Sequence, residues 1–417
     1  MIFPRLVLSL WATLNAAPLL AQSLTFEAAL QLAEQNQPTI SAAAARVDAA
    51  WHAVQPAGQW PDPKLAIGID NLPINGADRL SLSTDPMTMQ RFTLMQEMPN
   101  SVKREARVAA AQARALGAET QLIQALQTLR RETALAWIKR NTADEQLKQF
   151  DALVTETEIL LSTAPARLLS GSLSTLDALL PRQEAALLAD RRDELLAQQA
   201  QATAALRRWV GEAATQALAG SAPIWVLERS ALTHNLHRHP ELRQAKNSTL
   251  VLEAELREAQ AMKKPDWAVE LGYQRRAAQF GDMVSVQLTF ELPLLGRQRQ
   301  DPTIAVKQAE RAAVAAEQDA LAREHQQTLE NDWADLQRFE SAIKRNQTTL
   351  QTIASERLKL SMAAYAAGKA PLLDPINARR ELLELQLKLL SLQGERQATA
   401  ARLHFAFDAA ELRARHE

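Results

Sequence analysis

The order of features between Gln37-Pro38 and Trp209-Val210 recurs between His239-Pro240 and about Phe405, and this duplication constrains the fold more than any other feature of the chain. Each half opens on a helical segment and runs through two short alternating strands into a very long Ala/Leu-rich helix. It then returns through a Gly turn along a second long helix. The paired landmarks are Gly68 with Gly272, Glu97 and Pro99 with Glu291 and Pro293, Trp137 with Trp333, Gly171 with Gly368, and Asp177 with Asp374. A unit of about half the chain is longer than a solenoid repeat, so it implies a duplicated fold with internal pseudo-symmetry.

Residues 1–21 are predicted to be a secretory signal peptide. Arg5 precedes an apolar run from Leu6 to Ala12, and cleavage is expected near Ala21. The first repeat is expected at 22–211, with strands at about 64–72 and 88–98 and helices at about 38–59, 101–168 and 174–210. An inter-repeat segment follows at 212–238. The second repeat is expected at 239–407, with strands at about 266–275 and 283–292, helices at about 240–262, 301–367 and 372–405, and a tail at 408–417.

After the leader no apolar run reaches the eighteen or so residues of a spanning helix, so any membrane insertion must be by a β-barrel. The chain has no Cys, which excludes disulfides, thiolate metal sites and an acylated N-terminal Cys. A net charge of -1 offers no basic surface, and no nucleic-acid partner is expected.

Between Ser101 and Ser170 only Gly117 and Pro165 interrupt helix-forming sequence, and between Asp301 and Ala367 there is no Gly and no Pro beyond Pro302 at its start. A helix of roughly 65 residues would run for about 100 Å and must bury its apolar stripe against other rods. Leu329, Leu336, Ile343 and Leu350 recur every seven residues, as do Leu147, Val154 and Leu161, and Ile376, Leu383 and Leu390. That spacing keeps one seam facing a partner helix. Near the strands the stripe turns to Ala: 109, 110, 111, 113, 115 and 118 in one half, and 305, 309, 312, 313, 315 and 316 in the other. Alanine suits a close-packed wall of helices. A self-contained bundle would account for the heptads but not for the strands between them.

Those strands alternate with period two. Val284, Val286, Leu288, Phe290 and Leu292 share one face, as do Trp267, Val269, Leu271 and Tyr273; the first half repeats this with Leu65, Ile67 and Ile69, then Phe92 and Leu94. An entirely apolar face is covered either by a protein core or by lipid. Nine to eleven residues suffice to cross a bilayer at a tilt, and Trp60 and Trp267 sit where aromatic belt residues would. Four strands cannot close a barrel, whereas three chains would supply twelve. The first hairpin loop, about 73–86, is longer than the second at 275–282, as exterior barrel loops are.

Taken together these residues resemble the TolC family of outer-membrane efflux factors. The matches are Gln37-Pro38 and His239-Pro240, the strand ends Gln96-Glu97-Met98-Pro99 and Phe290-Glu291-Leu292-Pro293, and the turn Tyr365-Ala-Ala-Gly368 with Asp374 six residues on. The resemblance covers nearly all of 24–407. It implies a homotrimer with a twelve-stranded outer-membrane barrel, an α-helical tunnel across the periplasm, and a periplasmic tip opened by an inner-membrane pump and its adaptor. The segments Trp60-Pro61-Asp62-Pro63, Asp70-Asn71-Leu72-Pro73 and Met95–Asn100 with Lys103, Arg104 and Arg107 are similar to the heavy-metal branch. Its partners are membrane-fusion adaptors and resistance-nodulation-division pumps for metal ions. Many relatives carry an acylated Cys that this chain lacks, and Pro165 would kink the first helix near its tip.

The fold class expected is therefore mainly α with transmembrane β. The function expected is a passive export duct, set against a periplasmic coiled-coil adaptor or scaffold without a pore. Tip and gate candidates are Tyr365, Gly368, Lys369, Asp374, Gly171 and Asp177. In a threefold channel each lumenal Asp would become a ring of three carboxylates, although Asp177 and Asp374 also suit the starts of helices. His234, His237 and His239 have the ligand types for a metal but read better as surface and turn residues. Met87, Met89, Met95 and Met98 fit a strand pattern better than a copper site. No phosphate loop, His-Glu-x-x-His or Gly-x-Ser-x-Gly is present, so neither a cofactor nor an enzymatic activity is expected.

Overall fold

The computed structural model describes residues 23–162 and 179–407. The expected leader, Pro165, Gly171, Asp177 and the tail lie outside those residues.

In chain order the elements are α1 (Phe26–Asn36), α2 (Pro38–His52), α3 (Val54–Ala57), β1 (Lys64–Asp70), β2 (Met89–Met98), α4 (Ser101–Ser162), α5 (Leu180–Val210), α6 (Arg229–Asn235), α7 (Pro240–Ala261), β3 (Trp267–Arg275), β4 (Met283–Phe290), α8 (Gln300–Arg345), α9 (Gln351–Ala366) and α10 (Leu373–Phe407). A π-helical turn, Asn346–Leu350, joins α8 to α9. Short 3-10 turns flank α6 at Gly211–Thr215 and Leu236–Arg238. Among the described residues no helix is long and apolar enough to cross a membrane. The described residues divide into two compact units, one formed from 23–37, 129–162, 179–227 and 332–405, the other from 38–128, 228–331 and 406–407.

The first unit is built around helix seams. Phe150, Leu195, Leu383 and Leu387 form a buried cluster flanked by Leu147, Val154 and Leu188. Gly394 of α10 lies against Thr142 of α4 so closely that a Cβ there would sit 2.4 Å from Thr142 Oγ1. A mid-helix Gly costs about 1 kcal/mol relative to Ala, and here it permits that approach. The N-terminal stretch, which the repeat pattern does not mark, is part of the same unit. Thr25 caps α1 through Oγ1, which accepts the Ala28 N–H at 3.2 Å, and Leu24 bridges to Leu218 in parallel. Phe26 packs edge-on against the fully buried Trp137 and against Trp225, which stacks on His404.

The heptad through 329–350 does not run straight. Leu329, Leu336, Phe339 and Asn346 are buried, but Leu350 is 46% exposed. The π turn inserts one residue into the helical phase. The seam therefore moves from Ile353, which is 59% exposed, to Ala354, which is 2% exposed. Asn346 holds the turn by donating from Nδ2 to the Leu385 carbonyl at 3.2 Å.

In the second unit the four strands form one antiparallel sheet in the order β1-β2-β3-β4, with β1 and β4 as its edges. An acidic row on α7 holds basic residues of α4 and α8: Glu258 pairs with Arg107 at 2.6 Å, and Glu255 with Arg114 and, at 3.0 Å, with Lys307. Burial pushes the Glu255 carboxyl up, but Lys307 and Arg114 outweigh it and hold the group below its usual range.

The Ala clusters of the two repeats differ in their surroundings. Ala110, Ala111, Ala113 and Ala115 are buried, whereas Ala305, Ala309, Ala312, Ala313, Ala315 and Ala316 are all exposed. The close-packed wall expected for both halves is thus present within the chain only for the first.

Sheet and helices meet at Asp266. Its Oδ1 accepts the Asn100 backbone N–H at 2.9 Å and the Asn100 side-chain amide at 3.0 Å, while Oδ2 accepts Lys103 Nζ at 2.7 Å. Asn100 in turn caps α4, its Oδ1 accepting the Lys103 N–H at 2.9 Å, and its amide reaches the Ala261 carbonyl at the end of α7. One carboxylate thereby fixes the start of α4, the end of α7 and the start of β3. Burial alone would raise its pKa, but the bonds from Lys103 and Asn100 lower it below the usual value. A lowered folded-state pKa contributes stability that is present above the unfolded value and lost as pH falls through the folded one. Replacing Asp266 with Asn is expected to cost about 1–3 kcal/mol at neutral pH, the scale of charge-assisted hydrogen bonds. In denaturant unfolding followed by tryptophan fluorescence, the gap between wild type and variant should close as the pH falls below the ordinary carboxylate range; a gap independent of pH would contradict this role.

Candidate functional site

The sheet register places the apolar strand residues in rows. Ile67, Phe92, Tyr273 and Val284 are directly opposed across all four strands, and Leu65, Leu94, Leu271 and Val286 form the next row. Val269 pairs with Leu288, and Trp267 with Phe290 at the helix-proximal end. Since residues in register project to the same side, these positions share a face with Ile69. That face is uncovered: Ile67, Val284 and Val286 are 68–70% exposed, and only Val269 is half-buried. Leu292 lies just beyond β4 and is also exposed. Trp60, stacked under Arg104, and Trp267 flank the band where the strands meet the helices.

The opposite face is mostly polar, and it is close-packed around Gly272. Thr93, Gly272 and Ser285 form its central row, and a Cβ on Gly272 would meet Ser285 Oγ at 2.5 Å. Lys64 pairs with Glu97, and Arg91 with Asp70 at 3.3 Å, on this side, whereas on the apolar face Arg275 stands at the loop end of β3. A sheet apolar on one side and ion-paired on the other suits a wall between hydrocarbon and water.

The second candidate place is the turn between α9 and α10. Gly368 adopts φ +68°, the left-handed conformation that ends a helix, and the Lys369 N–H returns to the Ala364 carbonyl at 2.9 Å. Tyr365 is buried with Leu372 and Ile376, against Leu180, so it packs the turn as well as lying within it. Lys369 and Asp374 are exposed. Asp374 lies in the first turn of α10, yet its carboxylate accepts no hydrogen bond among the described residues, so it acts on the helix only through the dipole. One further pair near this turn, Arg380 with the buried Glu184, has no marker in the sequence pattern.

The His-x-x-His-x-His stretch does not converge. His234 and His237 lie edge to face at 5.7 Å, while His239 caps α7 and stacks on His325, 86 positions along the chain, at 3.8 Å between ring centroids. Residue spacing cannot reveal such a pair, because α8 supplies the partner.

Comparison with known proteins supports this reading. The outer membrane efflux protein family matches residues 29–212. The cobalt-zinc-cadmium resistance protein CzcC of Cupriavidus metallidurans is 25% identical over 393 residues, covering 90% of this chain and 88% of its own. Among solved structures, the outer membrane protein VceC of Vibrio cholerae superposes with a TM-score of 0.77 at 18% identity, over 92% of this chain and 95% of its own. The Campylobacter jejuni CmeC outer membrane channel gives 0.74 at 11% identity, over 92% and 85%. By this partial family match and this fold, the chain is similar to the TolC-like outer-membrane efflux proteins.

Proposed function

We propose that the chain is the outer-membrane duct of a tripartite efflux system. Three copies close their sheets edge to edge into a twelve-stranded barrel, and a resistance-nodulation-division pump in the inner membrane delivers heavy-metal cations through a periplasmic adaptor. The observation that carries this reading is the sheet itself, with an exposed apolar face, an ion-paired polar face and two open edges. Backbone edges left unpaired in hydrocarbon cost several kcal/mol per group, so such a sheet is unstable in a bilayer unless it closes. The uncovered Ala surface of α8 supports the same assembly, because a neighbouring helix can approach it as closely as α4 is approached within the chain. The metal cargo rests on CzcC, the relative named for cobalt, zinc and cadmium resistance.

In this reading the polar strand face lines the lumen, and the turn holding Tyr365, Gly368, Lys369 and Asp374 lies at the periplasmic tip. Tyr365 anchors each tip, and Asp374 projects from it. Three Asp374 carboxylates around an axis would concentrate cations at the constriction.

Two measurements test this. In planar bilayers Asp374→Asn should raise the conductance of the closed channel and lower its preference for cations over anions; if both are unchanged, Asp374 is not at the gate. Deleting the gene should sensitise the cell to at least one of cobalt, zinc, cadmium, copper or silver, with recovery on complementation. Unaltered tolerance to all five would remove the metal reading while leaving the duct intact.

A further inference from the structure

We infer that the chain holds a divalent transition-metal ion of the zinc or cobalt class at His239, Glu241 and His325, independently of any cargo it conducts. The three side chains offer donor atoms that all lie within 4.8 Å of one another. Four-coordinate zinc, with bonds of 2.0–2.1 Å to nitrogen, needs its donors about 3.3 Å apart, so side-chain adjustments of about an ångström complete the set. Glu241 Oε2 already stands 2.9 Å from His325 Nε2.

The surroundings suit a metal better than a plain ion pair. Among the described residues Glu241 pairs with His325 and with no Lys or Arg; its other oxygen accepts the neutral Gln124 amide at 3.0 Å, which fixes the carboxylate. Such a second partner is what orients a metal-binding carboxylate. The buried Phe407 ring lies 5.8 Å from His239 and closes one side. Two imidazoles and one carboxylate leave one position for water, a set that zinc and cobalt accept and that magnesium or calcium does not favour. The positive N-terminal end of α7 opposes a cation there, and the Glu241 carboxylate offsets it. The bound ion would tie the start of α7 to α8.

The test is Co(II) titration of the untagged, detergent-purified full chain, followed by the visible bands of four-coordinate cobalt and by displacement with zinc. One ion per chain is expected. His325→Gln, Glu241→Gln and His239→Asn should each weaken binding by about tenfold or more. His239→Asn preserves a good helix cap, so its loss of binding cannot be attributed to unfolding. Zinc should also raise the thermal midpoint of the wild type but not of His325→Gln. His234→Ala and His237→Ala should bind normally. No tetrahedral cobalt spectrum, undiminished binding in His325→Gln, or equal loss in His234→Ala would each overturn the assignment.

Discussion

The rest of the structure depends on one constraint: a sheet whose outer face is apolar and whose two edges are unpaired cannot stay in hydrocarbon as a single copy. Because consecutive strands are antiparallel, β1 and β4 run in opposite directions. The edge of one copy can therefore meet the opposite edge of the next in the same antiparallel pattern. The ion-paired charges obey the same constraint, since Lys64, Glu97, Arg91 and Asp70 all sit on the side away from the apolar rows. The duplication supplies two strands per half, and the proposed assembly of three copies would multiply them to a number that closes.

Strands of this kind need helices fixed to their ends, and Asp266 provides that link in the second unit. It draws the cap of α4, the end of α7 and the first residue of β3 into one hydrogen-bonded knot. The ion pairs between α4, α7 and α8 continue it. In the first unit apolar seams and the Gly394–Thr142 contact do the equivalent work, with the π turn adjusting the phase of one helix to its neighbour.

Much of this was legible in the sequence, because periodicity is a local property. The alternation in 284–290 identified the apolar face residue by residue, and the register places those residues on one side of the sheet. What escaped depended on partners distant in sequence or outside the chain. Heptad counting placed Leu350 in the seam because nothing in Asn346–Leu350 announces an inserted residue. The pairing of His239 with His325 and the knot at Asp266 require the fold to bring remote segments together. The Ala clusters look alike as sequence, yet only one is covered within the chain, since covering the other falls to another molecule in the proposed assembly.

Edge-to-edge closure is tested most directly by cross-linking, for which a chain without cysteine is well suited. Within one sheet β1 and β4 lie three strand spacings apart, about 14 Å, beyond the reach of a disulfide. Ala66→Cys in β1, combined in turn with Ser285→Cys, Gln287→Cys and Thr289→Cys in β4, should give on mild oxidation of outer membranes a reducible ladder that ends at three chains. Single variants should give at most dimers. Monomer bands alone across the whole panel, or a ladder that continues past three, would contradict the closed twelve-stranded barrel.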